Sequence, residues 1–568
     1  MKLKTGLIKI LLLTAAAVAV QAEDELSPEK QISATASIPS KDVRVNSIGY
    51  KPALAKHATV VGDHGNAEWN IRSCADDSSV LSGKLSSAVV TSDSKETVQV
   101  VDFSALTAPG SYYLHVEGVG KSVPFCVADE VYNDSLELQM AGLYGLRCGM
   151  AVSISHGGNI FQHDVCHAAD GKMDYVGGTG TIDGTGGWHD AGDYGKYMVN
   201  AAFSMGVMLK GWEDFSNQLA HVKLPIPETG GTFPDFLDEM KYELDWMLKN
   251  AAVYGDGRIP HKLTRIDFSG MVMPSTDKED RYWVPYSSAA TAGFTAVMAQ
   301  AARIYRPYDA AYADKLQAAA DKSYAWLQAH PERHDPDQAA FSTGGYGTSD
   351  SDDRLWAAAE VWETTGSPEA LADFEKRAGS ARRKIELSWG WSNLGNLGMF
   401  AYLSSERKGK DADLEKAVRQ EVISTADSVV DLADKQGFGR GLDRYFWGCN
   451  GSVALQGMVL RAAHKETHEQ KYLDGAIDQI SHLYGRNTYN RSQVTGEGIN
   501  PPMHPHHRPS EADGISDPWP GLLVGGGWPT ATDWKDEMES YETNEIAINW
   551  TAAMVYLLGM FSEYTEAP

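Results

Sequence analysis

Ser288-Ala289-Ala290-Thr291-Ala292-Gly293-Phe294-Thr295-Ala296-Val297-Met298-Ala299-Gln300-Ala301-Ala302 is the run that decides the fold. It carries no charged residue, and a helix that is apolar all round has to be enclosed by other elements. The segment 411–435, by contrast, is charged along much of its length and predicts a peripheral helix. Amphipathic stretches of helical period recur near 134–153, 194–215, 234–252, 286–305, 308–330, 352–365, 368–386, 392–407, 411–435, 448–465, 469–485 and 543–561. Twelve helices joined by loops, several of them long, predict a closed ring of helical hairpins with the more apolar members inside. No strict sequence repeat is visible, so the ring rests on the helix count.

Ahead of the helices the period changes. Short alternating runs such as Val43-Arg44-Val45, Ala58-Thr59-Val60-Val61, Thr97-Val98-Gln99-Val100-Val101 and Tyr112-Tyr113-Leu114-His115-Val116 are separated by turn formers such as Gly62-Asp63-His64-Gly65 and Pro109-Gly110. They predict a β-sandwich over 41–130, with the helical domain over 134–568. Residues 23–40 lack apolar periodicity and read as a disordered linker. At the N-terminus, Lys2, Lys4 and Lys9 precede the apolar run Ile10–Val20, and the small residue Ala22 follows, as in a secretory signal peptide spanning 1–22. The run is shorter than the ~20 residues a membrane anchor needs. The mature protein is therefore expected to be secreted or periplasmic, with no membrane attachment after cleavage.

The formal net charge of -26 over 568 residues excludes a nucleic-acid partner, because that role needs a basic footprint. Fifteen tryptophans and twenty-five tyrosines suit a sugar-binding groove, where flat ring faces meet flat partners, and equally suit an ordinary core. The five cysteines are too few and too odd in number for a disulfide framework. Cys74 and Cys126 fall in the sandwich and are placed to pair; Cys449 reads as a buried thiol.

Three clusters carry chemistry. Gly186-Gly187-Trp188-His189-Asp190-Ala191-Gly192-Asp193-Tyr194-Gly195-Lys196-Tyr197 sets two carboxylates three residues apart in a glycine-punctuated turn. Like charges that close raise one pKa and cost free energy, so such a pair is kept where chemistry needs it, although Asp193 would also serve as a helix N-cap. Asp533-Trp534-Lys535-Asp536, followed by Thr543-Asn544-Glu545-Ile546-Ala547-Ile548-Asn549-Trp550, puts Glu545 at the mouth of an apolar helix with Asp536 in a loop upstream. There a low-dielectric wall favours the protonated carboxyl, as a general acid requires; a first-turn Glu on a helix dipole is the alternative. Asn500-Pro501-Pro502-Met503-His504-Pro505-His506-His507-Arg508-Pro509 is a rigid polar loop suited to clamping hydroxyls, with a surface metal patch as the alternative.

The Asp-Ala-Gly-Asp turn, the Pro-His-His-Arg loop and the Asp-x8-Glu helix start, in this order, resemble glycoside hydrolase family 9, a family of inverting cellulases. Val43-Arg44-Val45-Asn46-Ser47-Ile48-Gly49-Tyr50 resembles the start of the immunoglobulin-like module that precedes one branch of that family. The resemblance spans essentially the whole mature chain. It implies a mostly α protein, an (α/α)6 barrel behind an immunoglobulin-like sandwich, cleaving β-1,4-glucosidic bonds. It implies Asp193 as general base, Asp190 as its partner in holding water, Glu545 as general acid, His506 and Arg508 as sugar ligands, and Asp536 as support for the acid. Where the family has Asn six residues after the acid, this chain has Thr551, which puts a local helix contact in doubt.

Cys148, Cys166, His167 and His189 form a Cys2His2 set of the kind that closes around zinc, with a spacing unlike a zinc finger's; buried thiols and free histidines are the plain alternative. The resemblance implies a structural zinc at these positions, pinning the turn through His189. The segment Thr348-Ser349-Asp350-Ser351-Asp352-Asp353 resembles a calcium loop of relatives, and equally a solvated helix cap. Of Trp188, Tyr197, Trp283, Trp389, Trp391, Trp519 and Trp528, those nearest the catalytic loops, Trp188 and Trp528, are the first candidates for sugar platforms, with Tyr197 beside them. Endoglucanase is the expected activity on a β-glucan, by a monomer. An exo-acting cellodextrin or glucosaminide hydrolase and a xyloglucanase are the alternatives within the family, and a non-catalytic carbohydrate-binding protein is the alternative outside it. No cellulose-binding module follows the barrel motifs, which points to soluble or loosely ordered substrate.

Overall fold

The computed structural model describes residues 38–564, so the expected signal peptide and nearly all of the expected linker lie outside the described residues. Ten strands come first: β1 Val43–Arg44, β2 Gly49–Tyr50, β3 His57–Val61, β4 Glu68–Ser73, β5 Ser79–Lys84, β6 Val89–Val90, β7 Thr97–Asp102, β8 Gly110–Val116, β9 Gly120–Lys121 and β10 Phe125–Val127. They form two sheets, ordered β1-β3-β7-β6 and β2-β10-β8-β4-β5, with β9 on β8. The sheets enclose a core in which Tyr50 meets Phe103 and Phe125 edge to face at 5.0 and 5.2 Å. This is the expected sandwich. Cys74 and Cys126 are free, not paired. The Cys74 N–H bonds the Ser111 carbonyl on one side of β8, and Cys126 is the register partner of Ser111 on the other. Two strand spacings, ~9.5 Å, exceed the reach of a disulfide.

Fourteen helices follow among the described residues: α1 Asn133–Gly145, α2 Met198–Leu219, α3 Asp235–Tyr254, α4 Ser288–Tyr305, α5 Ala310–Ala329, α6 Ser351–Thr365, α7 Pro368–Ser380, α8 Gly395–Ser404, α9 Ala412–Gln436, α10 Cys449–Thr467, α11 Gln470–Leu483, the short α12 Arg508–Ala512 and α13 Tyr541–Asn544, and α14 Ile548–Gly559. The twelve long ones are those the sequence predicts. Helices α14, α2, α4, α6 and α8 pack side by side in turn, and α10 closes against α14. Outside them α1 lies on α14, α3 on α2, α5 on α4, α7 on α6, and α9 and α11 on α10. The charge-free run sits on the inner helix α4, where all but one of its eighteen residues are buried, and Ser287 caps it through the Ala290 N–H at 3.0 Å. Charged α9 buries only one stripe, Val418, Val422, Ala426 and Val429 among it, as a peripheral helix should.

Boundaries differ where the chain does chemistry. The first helix stops at Gly145, eight residues early, because Cys148 must turn inward before the hairpin Val152–His156 and Asn159–His163, here β11 and β12. The second starts at Met198, because Lys196–Tyr197 (β13) pairs with Lys262–Thr264 (β14), which in turn pairs with Tyr282–Trp283 (β15). The last begins at Ile548, after α13 and an extended link.

Sandwich and ring are stitched by polar contacts. The Ser47 hydroxyl donates to the Tyr484 carbonyl at 2.6 Å, and Lys51 to the Phe561 carbonyl at 2.8 Å. Asp478 on α11 receives Arg486 at 2.5 Å and faces His57 Nδ1 at 3.0 Å, while Arg486 Nε donates to the Thr59 hydroxyl at 3.0 Å.

Candidate active site

The glycine-punctuated turn is held from beneath. Gly186 and Gly187 take φ of 92° and 70°, and a Cβ on Gly187 would come within 2.8 Å of Trp246 and 2.9 Å of the Glu243 carboxylate. The buried Lys196 ammonium donates to the carbonyls of Gly184 and Gly186 at 2.5 and 2.9 Å and pairs with Asp170 at 3.1 Å. Trp188 faces away from any groove: it is buried, its N–H and indole Nε1 donating to Glu243 and Glu239 of α3 at 2.6 and 2.8 Å. It is a core anchor, not a sugar platform.

Asp193 is not a helix cap either. Its Oδ2 receives the Gly195 N–H at 2.9 Å and the Tyr197 hydroxyl at 2.8 Å. Asp190 is buried and accepts at Oδ1 from Asn200 at 2.8 Å and at Oδ2 from Tyr346 at 2.5 Å. Burial, then the neighbouring Asp193, push the Asp190 carboxyl up to about 8.

Three segments distant in sequence are zipped together here by main chain. Ala191 bridges Ala547, His506 bridges Glu545, and the Ile548 N–H donates to the Asp190 carbonyl at 2.9 Å. Arg508 donates through Nη1 to the Gly192 carbonyl at 2.5 Å and through Nε to the Ser269 hydroxyl at 2.9 Å. A Cβ on Gly192 would come within 2.1 Å of the His506 carbonyl oxygen, so only glycine allows this approach. His506 gives its Nδ1 proton to the Met538 carbonyl at 2.8 Å, leaving Nε2 as its free nitrogen, and burial holds the ring neutral by lowering its pKa. Glu545 lies in the extended link before α14, not in a first helical turn, with φ -70° and ψ 158°. Burial first, then Asp193 and Asp190, raise its carboxyl well above the ordinary range, against the opposing pull of Arg508.

A cleft of about 820 Å³ is lined by Asp190, Asp193, Glu545, His506, Arg508 and Tyr197, so the structure brings together the residues expected to do chemistry. Trp389 and Trp391 line it as well. Asp536 does not; it accepts from the N–H groups of Met503 and His504 and from Arg491 at 3.0, 2.9 and 2.7 Å, anchoring the His506 loop. Trp528, 38% exposed, also lies outside the lining, and Trp283 and Trp519 are core. The rings that line the cleft unforeseen are Tyr346, Phe268, Phe446, Trp447, Tyr541 and Trp550. Of these, Tyr346 alone carries a sequence signal, an aromatic inside Gly344-Gly345-Tyr346-Gly347.

Cys148, Cys166, His167 and His189 meet as expected, all buried, with ligand atoms within 4.8 Å of one another. His189 Nε2 lies 3.3 Å from His167 Nδ1, Cys148 Sγ 3.6 Å from His167 Nδ1, and Cys166 Sγ 3.9 Å from His189 Nε2. Zinc at ~2.3 Å from sulfur and ~2.0 Å from nitrogen, bound tetrahedrally, sets neighbouring ligand atoms roughly 3.3–3.8 Å apart, so the set fits the ion. His167 Nε2 faces the Asp277 carboxylate at 3.6 Å, the outer partner such a ligand uses. In the segment that resembles a calcium loop, Asp350 pairs with Arg354 at 2.6 Å and Asp352 accepts the Leu394 N–H at 2.8 Å, while both carboxylate oxygens of buried Asp353 have no protein partner; calcium there stays an expectation.

Residues 132–558 match the model of glycosyl hydrolase family 9, and 39–121 that of the cellulase N-terminal ig-like domain. Endoglucanase D of Acetivibrio thermocellus is 49% identical over 528 residues, 92% of this chain and 81% of that protein. A metagenome-derived glycoside hydrolase family 9 endoglucanase superposes with a TM-score of 0.85 at 32% identity, covering 92% of this chain and 98% of its own. A Zn-binding triple mutant of the family 9 endoglucanase J30 superposes with a TM-score of 0.83 at 33% identity, covering 90% and 99%. With a turn, a loop and a link converging on one acidic cleft and the family model matching three quarters of its length, this chain belongs to glycosyl hydrolase family 9, behind an N-terminal immunoglobulin-like domain.

Proposed function

We propose that this chain is an exported endo-β-1,4-glucanase that hydrolyses with inversion. The observation that carries the reading is the convergence on one cleft of a half-buried Glu545, whose carboxyl holds its proton more tightly than usual, and the Asp190–Asp193 pair. Inversion needs an acid to protonate the departing glycosidic oxygen and a base to take a proton from water on the other face of the ring. Glu545 has the raised affinity for a proton that the first role requires. Asp193, steadied by the Gly195 N–H and the Tyr197 hydroxyl, takes the second, and Asp190 helps hold the water. His506, with Nε2 free, and Arg508 meet the sugar beside the bond. Rings of Trp391, Trp447 and Tyr541 offer flat faces to successive glucosyl units.

Zinc at the Cys148–Cys166–His167–His189 set would supply no reaction chemistry, since four protein ligands leave no open position; it would hold the turn through His189. The endo assignment is supported by the aromatic rim, where Trp447 and Tyr541 remain 47% and 44% exposed, so a long chain can run past the acids. The test is a product time course on carboxymethylcellulose and cellohexaose. An early fall in viscosity with mixed oligosaccharides is expected; steady release of one small sugar with viscosity maintained would replace the endo reading by an exo one.

A further inference from the structure

One amide nitrogen touches both halves of the acid machinery. Asn200, buried in the first turn of α2, donates from Nδ2 to Asp190 Oδ1 at 2.8 Å and to Asn549 Oδ1 at 3.3 Å. Both of its protons are thereby used, and its own Oδ1 is buried without a partner. This orientation gives Asp190 Oδ1 and Asn549 Oδ1 a shared donor, which the flipped amide could not supply. Asn549 stands in the first turn of α14, four residues after Glu545, and lines the cleft. With its Oδ1 committed to Asn200, its NH2 group has no protein partner and is presented to whatever occupies the cleft. Thr551, two residues on, does not share this task; its hydroxyl is buried and unpaired.

We propose that Asn549 is a substrate-binding residue whose NH2 donates to a hydroxyl of the glucosyl unit held over the acids, and that Asn200 is the positioning residue that aims it. A donor so placed serves the ring as it distorts toward the transition state, where hydrogen bonds to ring hydroxyls strengthen. Asn200 thus links the base turn and the acid helix through side chains, in parallel with the main-chain zipper. The assignment rests on the hydrolase reading of this cleft.

Five proteins test it on cellopentaose: wild type, N549D, N549A, N200A and N200A/N549A, each with its melting temperature. N549D keeps an oxygen for Asn200 and replaces the cleft donor by a carboxyl; because that adds a like charge near Asp190, kcat/KM is compared at the optimum of each protein's pH profile, where it is expected to fall about 10-fold or more with the melting temperature within a few degrees. N200A is expected to lose kcat with KM nearly unchanged, and N200A/N549A to be no worse than N200A, because Asn549 is no longer aimed. Wild-type kinetics in N549D would overturn the proposal, as would losses that multiply in the double variant. N200A failing to fold leaves the decision to N549D. A wild-type chain inert on every soluble β-1,4-glucan would instead overturn the hydrolase reading, and this one with it.

Discussion

Glu545 shows how far a side chain's role is set by its surroundings. Half-buried at the main-chain bridge to His506, and raised further by the neighbouring Asp193 and Asp190, its carboxyl holds a proton to higher pH than an exposed Glu would. A general acid is active only while protonated, so kcat/KM is expected to decline as pH rises through its elevated pKa, and a pH–rate profile should show that basic limb well above the range of an ordinary carboxyl. Glu545→Gln cannot give up a proton to the leaving oxygen. It should lower turnover on an unactivated glucan about 10³-fold while leaving oligosaccharide binding, read by calorimetry, within a few-fold of wild type. Residual hydrolysis near the wild-type rate would remove Glu545 from the acid's role. The acids were legible in the sequence because each belongs to a compact motif. Asn200 and Asn549 were not, since nothing local marks either as more than one polar residue in an apolar helix start, and Tyr346 offered only the weak signal of an aromatic among glycines. Trp188 misled for a related reason. Closeness in sequence to Asp190 does not fix a direction, and hydrogen bonds to Glu243 and Glu239 hold its ring toward α3 and away from the cleft.

At the scale of elements, the site is a set of short extended pieces clamped between helix ends, and two devices hold the clamp. One is the close approach of Gly192 to the His506 carbonyl, with Arg508 bonded across it. Gly192→Ala puts a methyl group where a backbone oxygen already stands, so the Ala191–Ala547 bridge must open. A loss of at least about 1–3 kcal/mol in thermal or urea unfolding is expected, with activity falling further than stability. The other is the Cys2His2 set. With the proposed zinc in place, a chelator should leave two buried thiols and two imidazoles crowded without a central charge, lowering both the melting temperature and turnover, and added zinc should restore both. Full activity in protein shown by metal analysis to be zinc-free would refute the structural role. The helix count and order were readable because the peripheral helices keep an apolar period and inner helices such as α4 keep long uncharged apolar runs. The starts of α2 and α14 were misplaced because tertiary bridges, invisible in the local pattern, pull Lys196–Tyr197 and Glu545–Ala547 into extended form.

For the whole molecule, the question is why a sandwich with a core of its own accompanies the ring. Its contacts answer in part, for they fall on segments that lead to the cleft: Ser47 grips Tyr484 and the Ile499 N–H, at either end of the chain that runs on to the His506 loop. The centre of the joint is Asp478. Burial alone would raise its carboxyl, but Arg486, then His57, outweigh burial and hold it below the ordinary range. A carboxyl depressed by folding contributes stability at pH above its unfolded value, near 4, and that contribution disappears as pH falls through the lower folded value. Removing it by Asp478→Ala leaves Arg486 buried against Thr59 and the Gly437 carbonyl with its charge uncompensated, a cost of about 3–5 kcal/mol. Because that cost falls on the joint and not on either core, calorimetry at neutral pH should show the variant's sandwich and ring melting as separate transitions where the wild type melts as one. The early transition should carry turnover away with it, since the Tyr484–Ile499 segment loses its brace when the sandwich lets go. A single transition at the wild-type temperature would mean that the two cores hold together without this pair, and that the sandwich contributes to the cleft by some other contact.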